Sequence, residues 1–433
     1  MIRQKPGSFK VEKSECSLTS FAGLPLITDL AHSCGLIKRL NAMGGLWKRK
    51  RDYSTADHIM SLVLTLIAGG DRLDDTRLLK NDAIVSALNL VSIPSANTTG
   101  AFLKRFSHRT TAALAHAALV PAAFALRRLK TATIDIDSSL IESDKENAVF
   151  TYKKFFGYNP MLAWCPEAEI FLACLFRNGN ASPQSHILET LEYCRDKFNK
   201  DTHLRLRSDS AGYQFKIMDY CVAQGIDFTI TVDLAASVRN AIAAIPEKDW
   251  RPMTKDGKTI LVAETVYRPG ANSFRVNLPT FRLIVTRKSS CQPELFKYLF
   301  VDRAIISNFP QDCSAEDILT HHNARGNVEK AIEELKNGFA LAKLPCAELS
   351  ANAAYAQICV LAYNLVSLFR KAALPVDWVS YRIKNLRFRL LCGAALVVKH
   401  ARHTIIKLHK NFTFLDVFER ARWAVLSPEL SGG

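Results

Sequence analysis

The sequence predicts an α/β protein in which helical regions flank a sheet-forming core that carries an all-β insertion. Two observations support this class. From residue 126 to 246, segments follow in the order strand, strand, strand, helix, strand, helix, strand. From 247 to 310, strand-like segments rich in Arg, Lys and aromatic residues follow one another with no obvious helix between them. The parts we expect are a helical N-terminal region (1–125), the first part of the core (126–246), the β-rich insertion (247–310), a core helix (311–345) and a helical C-terminal region (346–433).

The composition indicates a partner that carries many negative charges. The 433 residues include 57 Lys and Arg against 41 Asp and Glu, which gives a formal net charge of +16. Such a surplus favours nucleic acid or an anionic membrane surface. The longest apolar run, from about 353 to 369, is short for a membrane span and is interrupted by Gln357 and Asn364. We therefore expect no membrane association, and nucleic acid remains as the partner.

The cysteines and the N-terminal segment indicate the cytoplasm. Eleven Cys residues are scattered along the chain without a CxxC pair. This pattern is typical of buried thiols in a reducing compartment and not of a disulfide framework or a metal site. The N-terminal segment MIRQKPGSFKVEKSE lacks the apolar core of a signal peptide.

The sequence of the N-terminal region predicts short helices joined by tight connections. The segment HIMSLVLTLIAGG is typical of a helix that ends at Gly69 and Gly70. Basic residues are spread over this region: Lys48, Arg49, Lys50, Arg51, Arg77, Lys104, Arg105 and Arg109. We predict that they form a DNA-binding surface, and the alternative is the solvated basic face of a helical cap.

Two strands of the core carry acidic residues at informative positions. In TATIDIDSSLIE, alternation places Ile134 and Ile136 on one face of a strand, with Asp135 and Asp137 on the other. A half-buried carboxylate is costly unless it is paired or bound to metal. The segments GYNPMLAWC and EIFLACLFRNGN follow as strands, SHILETLEYCRDKF as a helix, and RLRSDSAG as a strand that ends in Asp209. Sites of α/β proteins collect at such strand ends.

The remaining segments complete the core, the insertion and the C-terminal region. A helix from about 213 to 224 and the strand IDFTITVD complete the first part of the core. The strands expected in the insertion are TILVAETVYRP, SFRVNLP, TFRLIVTRK and LFKYLFVDRAIISN. The C-terminal region predicts helices over about 351–369, 384–409 and 412–424. We interpret His400 and His403 as structural, because no carboxylate or Cys accompanies them at metal-ligand spacing.

A further acid lies on a predicted helix from His321 to Gly338. At about 100° per residue, Arg325, Glu329 and Lys336 project along one stripe of this helix, with a cation on either side of the carboxylate. The alternative is a solvated ion pair between Arg325 and Glu329, which are four residues apart. This stripe indicates a functional site only if other carboxylates lie close to Glu329.

Asp137, Asp209 and Glu329 are the candidates for one acidic cluster. Carboxylates that gather without a cation repel each other, and the usual outcomes are raised pKa values or a bound metal. Oxygen ligands suit Mg²⁺ or Mn²⁺. Two such ions about 4 Å apart support an in-line phosphoryl displacement, and a basic protein would supply the phosphodiester. The alternative is that each acid makes its own salt bridge.

The order of these motifs resembles the insertion-sequence transposases of the DDE type, which have an RNase H-like catalytic core. Their third-acid signature runs Tyr, two residues, Arg, three residues, Glu, six residues, Lys. Arg325, Glu329 and Lys336 fit that spacing, and His322 stands at the Tyr position. DIDSS resembles the first-acid strand and RSDSAG the second-acid element. The resemblance covers roughly residues 20 to 425 and is greatest to insertion-sequence family thirteen-eighty, in the stretches DDTRLLK and IPSANTTGAFLKRF.

The resemblance implies a cut-and-paste transposase that depends on Mg²⁺, with Mn²⁺ as a substitute. Asp137, Asp209 and Glu329 would be the catalytic metal ligands, with Asp135 as the fallback for the first. Arg325 and Lys336 would hold DNA phosphate near the scissile bond. His322 would do the same or be a packed residue of the helix.

The resemblance also implies partners and rivals. The partners are double-stranded DNA with terminal inverted repeats and target DNA, bound by a dimer at the bacterial nucleoid. A DNA hairpin step would place an aromatic of the insertion on an unpaired base, and the candidates are Trp250, Tyr298 and Phe300. Two rivals remain, a nuclease of the same fold without strand transfer and a catalytically silent DNA-binding protein.

Overall fold

A computed structural model describes most of the chain. It covers residues 9–46, 53–255, 257–271, 278–289, 300–401 and 403–427. The basic cluster 48–51, Tyr298 and most of the predicted strand SFRVNLP lie outside the described residues, as does the side chain of Phe300.

The N-terminal region is helical after one short strand. Its elements are β1 (Leu18–Thr19), α1 (Leu24–Ser33), α2 (Leu36–Asn41), α3 (Thr55–Ala68), α4 (Thr76–Lys80), α5 (Ala96–Leu103), α6 (His108–Ala118) and α7 (Val120–Leu126). Helix α3 begins at a capping box in which Ser54 and Asp57 bind each other's backbone N–H. It ends at Gly69, whose φ of 109° is a left-handed conformation that glycine adopts without strain. The predicted helix stop is therefore confirmed.

The centre of the molecule is a large mixed sheet. The elements of this part are β2 (Thr131–Ser138), β3 (Ile141–Glu142), β4 (Val149–Phe150), β5 (Phe156–Tyr158), β6 (Met161–Cys165), β7 (Ile170–Leu175), α8 (Ile187–Arg195), β8 (His203–Ser208), α9 (Phe215–Gln224), β9 (Asp227–Val232), α10 (Ala236–Ala243), β10 (Arg251–Lys255), β11 (Lys258–Tyr267), β12 (Phe281–Ser289) and β13 (Phe300–Ser307). Within the described residues, nine strands pair in the order β10-β11-β12-β13-β9-β8-β2-β6-β7. The β2–β8 and β8–β9 pairs are parallel, and the other pairs are antiparallel.

The strands predicted for the insertion join this central sheet. Strand β13 pairs with β9, with Ala304 opposite Val232 and Ser307 opposite Thr229. The segment is therefore rich in strands, as expected, but its strands extend the core sheet instead of forming a separate one. Pairing of this kind gives the backbone groups along β9 a partner that an open edge would lack.

The C-terminal part begins with a divided helix and ends in helices and a hairpin. Its elements are α11 (Ala315–Asn323), α12 (Gly326–Glu333), a π-helix (Glu334–Gly338), α13 (Leu349–Ala373), α14 (Val376–Val379), α15 (Ile383–Leu386), a second π-helix (Arg387–Leu391), β14 (Ala395–His400), β15 (His403–Leu408) and α16 (Leu415–Val425). The helix predicted over 384–409 is wrong beyond residue 391. Two pairs of β-branched residues, Val397–Val398 and Ile405–Ile406, favour strands, and they lie opposite each other in a β14–β15 hairpin that also pairs with β1.

Helix α13 closes the β7 edge of the central sheet. The Gln357 side chain donates to the Cys174 carbonyl at 2.6 Å, and Asn364 both donates to the Phe171 carbonyl and accepts from its N–H at 2.9 Å. Ser367 donates to the Glu169 carbonyl at 2.7 Å. These polar residues give the edge strand the partners that it would otherwise lack. Among the described helices, α13 is the one long and apolar enough by itself to cross a membrane, and 94% of its most apolar window is buried inside the fold.

Two large hydrophobic cores lie on opposite faces of β6 and β7. One contains Leu162 and Phe171 with the N-terminal helices, α12, α13 and the C-terminal helices. The other contains Met161 and Leu172 with residues of α8, α9 and α10. The N- and C-terminal helical regions therefore share one core, with α13 at its centre.

Candidate functional site

Two of the predicted acids lie at the same edge of the sheet. Asp137 is the next-to-last residue of β2, and Asp209 follows the last residue of β8. Because β2 and β8 are parallel neighbours, their carboxyl ends meet. Asp209 accepts the Ala211 N–H at 3.1 Å and so begins a short 3₁₀ turn. A Cβ on Gly212 would collide with the Ser208 side chain, so this turn requires glycine.

The third acid lies beyond a break in the predicted helix. The helix expected from His321 to Gly338 is divided at Ala324 and Arg325, where α11 ends and α12 is about to begin. The two halves pack in different cores, since α11 joins a small cluster with Ile305 and Phe309, whereas α12 joins the core of α13. Arg325 stands at the N-cap of α12, and Glu329 lies in its first turn.

The guanidinium of Arg325 lies within reach of all three acids. Its Nη2 is 3.1 Å from Asp137 Oδ2 and 3.6 Å from Asp209 Oδ2, and its Nη1 is 3.4 Å from Glu329 Oε1. Arg325 is largely buried, whereas the Glu329 side chain is 65% exposed. The three carboxylates, which come from distant parts of the chain, therefore converge on one cation supplied by the protein.

The charge balance of the cluster is incomplete. Burial raises the pKa of Asp137 to about 6; Arg325 opposes this shift, while the neighbouring Asp209 and Glu329 add to it. The close guanidinium thus offsets only part of the cost of burying this carboxylate. Among the described residues, no three or more His, Cys, Asp or Glu side chains stand ready to hold one metal ion. In this conformation the arginine occupies the space that the acids share.

Asp135, the fallback for the first ligand, has a different partner. Its two carboxylate oxygens each accept from Arg207 at 2.6 Å, and both side chains are buried. Arg207 also donates to the His321 carbonyl at 2.7 Å, which joins β8 to α11. Arg207 is not among the site residues predicted from the sequence. The signal was present, since RLR places charged residues at alternate positions of an apolar strand, as DID does.

His322 occupies the packed position that was one of its two alternatives. Its ring nitrogens lie 3.0 Å from the hydroxyls of Thr229 and Thr231 on β9, and the side chain is buried. Burial lowers its pKa to about 4, and the positive charges of Arg325 and Arg207 lower it further in the same direction. The imidazole is therefore neutral at physiological pH.

Lys336 lies in a π-helix and not in the regular α-helix that the predicted stripe assumes. This π-helix spans Glu334–Gly338, and its wider turn changes the angular spacing of the side chains. Its Nζ donates to the Leu140 carbonyl at 2.7 Å and to Ser139 Oγ at 3.2 Å, just beyond the end of β2. Burial, together with the nearby Lys153, lowers the pKa of Lys336. Lys336 therefore reaches the site from the side of the first acid.

The other predicted DNA contacts have separate surroundings. Lys104 is exposed and pairs with Glu348 at 2.9 Å, and Arg105 beside it is also exposed. Trp250 is only 9% exposed, and the Arg287 guanidinium lies 4.0 Å from the centre of its ring. His400 and His403 face each other across the β14–β15 hairpin.

Acidic residues delivered to one sheet edge by parallel strands, with a further acid on a facing helix, define an α/β protein with an acidic site at its strand ends. The chain belongs to the DDE transposases, because the sequence model of the family described as "Transposase DDE domain group 1" matches residues 6–427. It is thus a transposase that acts in DNA transposition, and this family implies a nuclease and transesterase. A comparison with curated protein sequences gives no match. Among solved structures, the chain is similar to a piggyBac transposase in a synaptic complex with hairpin DNA, at 12% identity and a TM-score of 0.47 over 87% of this chain and 83% of that one.

Proposed function

We propose that this transposase cuts DNA at the ends of its own mobile element and joins those ends to a target, in a cut-and-paste reaction that depends on Mg²⁺ or Mn²⁺. The catalytic core would be RNase H-like, and the chain would belong to insertion-sequence family thirteen-eighty. The observation that carries the proposal is the convergence of Asp137, Asp209 and Glu329 on Arg325. The three acids come from distant parts of the chain, and each has a carboxylate oxygen within 3.6 Å of the same guanidinium.

The donor set fits a hard divalent cation. Three carboxylates supply the oxygen ligands that Mg²⁺ and Mn²⁺ prefer, and transposases of this class generally depend on a divalent metal. A bound ion would activate the attacking oxygen and stabilise the leaving oxygen of a phosphodiester. Asp137, Asp209 and Glu329 would hold the ion once the Arg325 guanidinium has moved away from the three carboxylates.

The cations around the site would bind the substrate. In this proposal Arg325 moves from the carboxylates to a DNA phosphate, since a guanidinium pairs with either anion. Lys336 would contact phosphate with the remaining donor of its ammonium group. The pair Asp135–Arg207 would keep β2 and β8 in register so that Asp137 and Asp209 stay aligned. The exposed Lys104 and Arg105 would bind double-stranded DNA outside the site, and the basic residues 48–51 would also contact DNA.

The proposal is tested with DNA that carries the element's inverted repeats, which should flank the coding region. Wild type should cleave such DNA in Mg²⁺ or Mn²⁺, and Glu329→Gln should bind it but not cleave it. Glu333→Gln is the matched control, because Glu333 lies on the same helix, is exposed and pairs with Arg382. Cleavage by Glu329→Gln at the wild-type rate would exclude this acid as a metal ligand. A joining assay with a target plasmid then separates a transposase from a nuclease that stops after cutting.

A further inference from the structure

A short hairpin beside the acidic site exposes three aromatic rings. We call β4, β5 and the turn between them (residues 149–158) the aromatic hairpin. Phe150, Tyr152 and Phe156 are 53%, 60% and 58% exposed. Phe150 and Phe156 are directly paired across the strands, with ring centres 5.4 Å apart and ring planes at 70°. Aromatic side chains exposed together on a soluble domain mark a binding surface more often than isolated ones do.

The exposure of these rings is built into the fold. Strands β3, β5 and β4 form a separate small sheet, and the buried Thr151 accepts the Lys154 N–H at the tip of the hairpin. A Cβ on Gly157 would collide with the Ile141 carbonyl, and a Cβ on Gly179 would collide with the carbonyls of Gly157 and Val149. The hairpin is therefore seated closely on its neighbours, and the rings face solvent from a fixed support.

The hairpin is connected to the first acid by a short chain of contacts. Strand β3 begins four residues after Asp137, and the loop between them is bound by Lys336 through Ser139 and Leu140. Lys153, at the tip of the hairpin, is near enough to Lys336 to lower its pKa. The aromatic hairpin thus lies at the side of the site where Lys336 would contact phosphate.

Positive charge is interleaved with the rings. Lys153 and Lys154 are exposed and separate Tyr152 from Phe156 in the sequence YKKFF. Exposed aromatics that alternate with lysines match single-stranded nucleic acid, because bases stack on rings while ammonium groups neutralise the phosphates. A protein partner would use the rings equally well, but an apolar protein surface would not need the lysines, which match the phosphates of a nucleic acid.

We propose that the aromatic hairpin binds unpaired bases of the DNA beside the cleavage site, with Tyr152, Phe150 and Phe156 as stacking surfaces. This assignment rests on the proposed function, since it is the cutting site that would bring unpaired bases here. It places the stacking surface after the first acid and not in the strand-rich segment, where Trp250 is covered by Arg287. Duplex DNA, whose bases already stack on each other, would gain little from these rings.

The test measures binding to two probes in EDTA, an oligothymidylate and a blunt duplex of equal length. The double variant Tyr152→Ala/Phe156→Ala should bind the oligothymidylate at least about tenfold more weakly, since each lost stacking contact weakens binding by several-fold or more. Its affinity for the duplex should hardly change. A 2-aminopurine base in the single strand should be quenched by wild type and much less by the variant. Tyr152→Phe should behave as wild type, because it keeps the ring.

Phe388→Ala is the matched control, because Phe388 is exposed but belongs to the π-helix of the C-terminal region. It should leave both affinities unchanged, and its melting temperature provides the comparison for folding of the hairpin variants. Unchanged binding of oligothymidylate, or an equal loss on duplex, would overturn the assignment. Loss of a wild-type dimer in the double variant would instead make the hairpin a contact between two copies. Because the assay contains no metal, its failure is separate from a failure of metal-dependent cleavage.

Discussion

Asp135 and Asp137 lie two residues apart on the same strand, and each has an arginine beside it. Asp135 is held by Arg207 through two hydrogen bonds of 2.6 Å, and neither side chain forms an ion pair with a second acid in the part of the chain that the structure describes. Asp137 shares Arg325 with two further acids at 3.1 to 3.6 Å, and the buried Nε of Arg325 has no hydrogen-bond partner among the described residues. The first arrangement is a closed pair. The second leaves carboxylates with capacity to bind another cation.

The number of carboxylates that share one arginine distinguishes a structural acid from a candidate metal ligand better than the burial of the acid does. A buried bidentate pair satisfies both charges, so that removing one partner leaves an isolated charge in a low-dielectric environment. A guanidinium shared by three carboxylates leaves net negative charge at the site, which a metal ion can use. The two arrangements should therefore respond differently to substitution and to metal.

The largest effect should follow from Arg207→Ala. This variant leaves the buried Asp135 without a partner and removes the link to the His321 carbonyl, which should lower the free energy of unfolding by about 3–5 kcal/mol. Urea denaturation without metal measures the loss. Arg205→Ala on the same strand is the control, because Arg205 makes a looser contact, 5.2 Å from the ring centre of Phe309. Equal losses in the two variants would mean that the closed pair has no special role.

Asp137→Asn should raise the free energy of unfolding at neutral pH without metal, whereas Arg207→Ala should lower it. Because the pKa of Asp137 is raised from 3.8 to about 6 in the folded protein, wild type binds a proton here that the unfolded chain has released. Its stability should therefore fall as the pH rises from about 4 to 6, by about 3 kcal/mol. The Asn variant lacks this component and should be the more stable protein above pH 6 without metal. Burial also raises the pKa of Asp135, although Arg207 opposes that shift. Asp135→Asn should nevertheless be less stable than wild type, because it leaves the buried Arg207 guanidinium without its carboxylate. Parallel pH curves for wild type and Asp137→Asn would contradict the prediction.

Arg325→Gln should bind metal more tightly than wild type. The guanidinium competes with a cation for the same carboxylates, so its removal should tighten Mn²⁺ binding by about tenfold, or about 1.4 kcal/mol. Titration followed by electron paramagnetic resonance measures this without DNA. Lys330→Gln on the same helix is the control. Cleavage should nevertheless become slower, because the proposed phosphate contact is lost; weaker Mn²⁺ binding would show that Arg325 shapes the metal site instead of competing with the ion.

The sequence alone predicts the strand that carries Asp135 and Asp137. It does not predict which arginine pairs with each of the two acids. Alternation in TATIDIDS predicted a strand with both acids on one face, and the strand runs from Thr131 to Ser138. Which of the two acids forms the closed pair depends on Arg207, which lies 72 residues away on a neighbouring strand. A local pattern cannot supply a partner that only the sheet order brings close.

The other differences also come from contacts that are distant in sequence. The 321–338 helix has helical periodicity throughout, but it breaks where its two halves join different cores. The π-turn that contains Lys336 has no signal in a 100° periodicity. The sequence did not predict the β14–β15 hairpin, because its apolar residues also fit a helical spacing. Pairing of β14 with β1, at the other end of the chain, stabilises the strand conformation. In contrast, Gln357 and Asn364 were visible as interruptions of an apolar run, and the β7 edge explains them.

The smallest change in stability should come from Glu329→Gln. This variant separates a metal ligand from a structural acid most directly. Glu329 is 65% exposed and makes one ion pair of 3.4 Å with Arg325, so its loss should change the free energy of unfolding by less than about 0.5 kcal/mol. Wild type, however, should gain about 2.7 kcal/mol from Mn²⁺ at a hundredfold excess over its dissociation constant. That gain should shrink in Glu329→Gln and persist in Glu333→Gln, as measured by urea denaturation with and without Mn²⁺. A variant that folds as well as wild type but no longer responds to metal identifies a ligand. If Glu329→Gln instead destabilised the metal-free protein as much as Arg207→Ala, Glu329 would be a structural acid like Asp135.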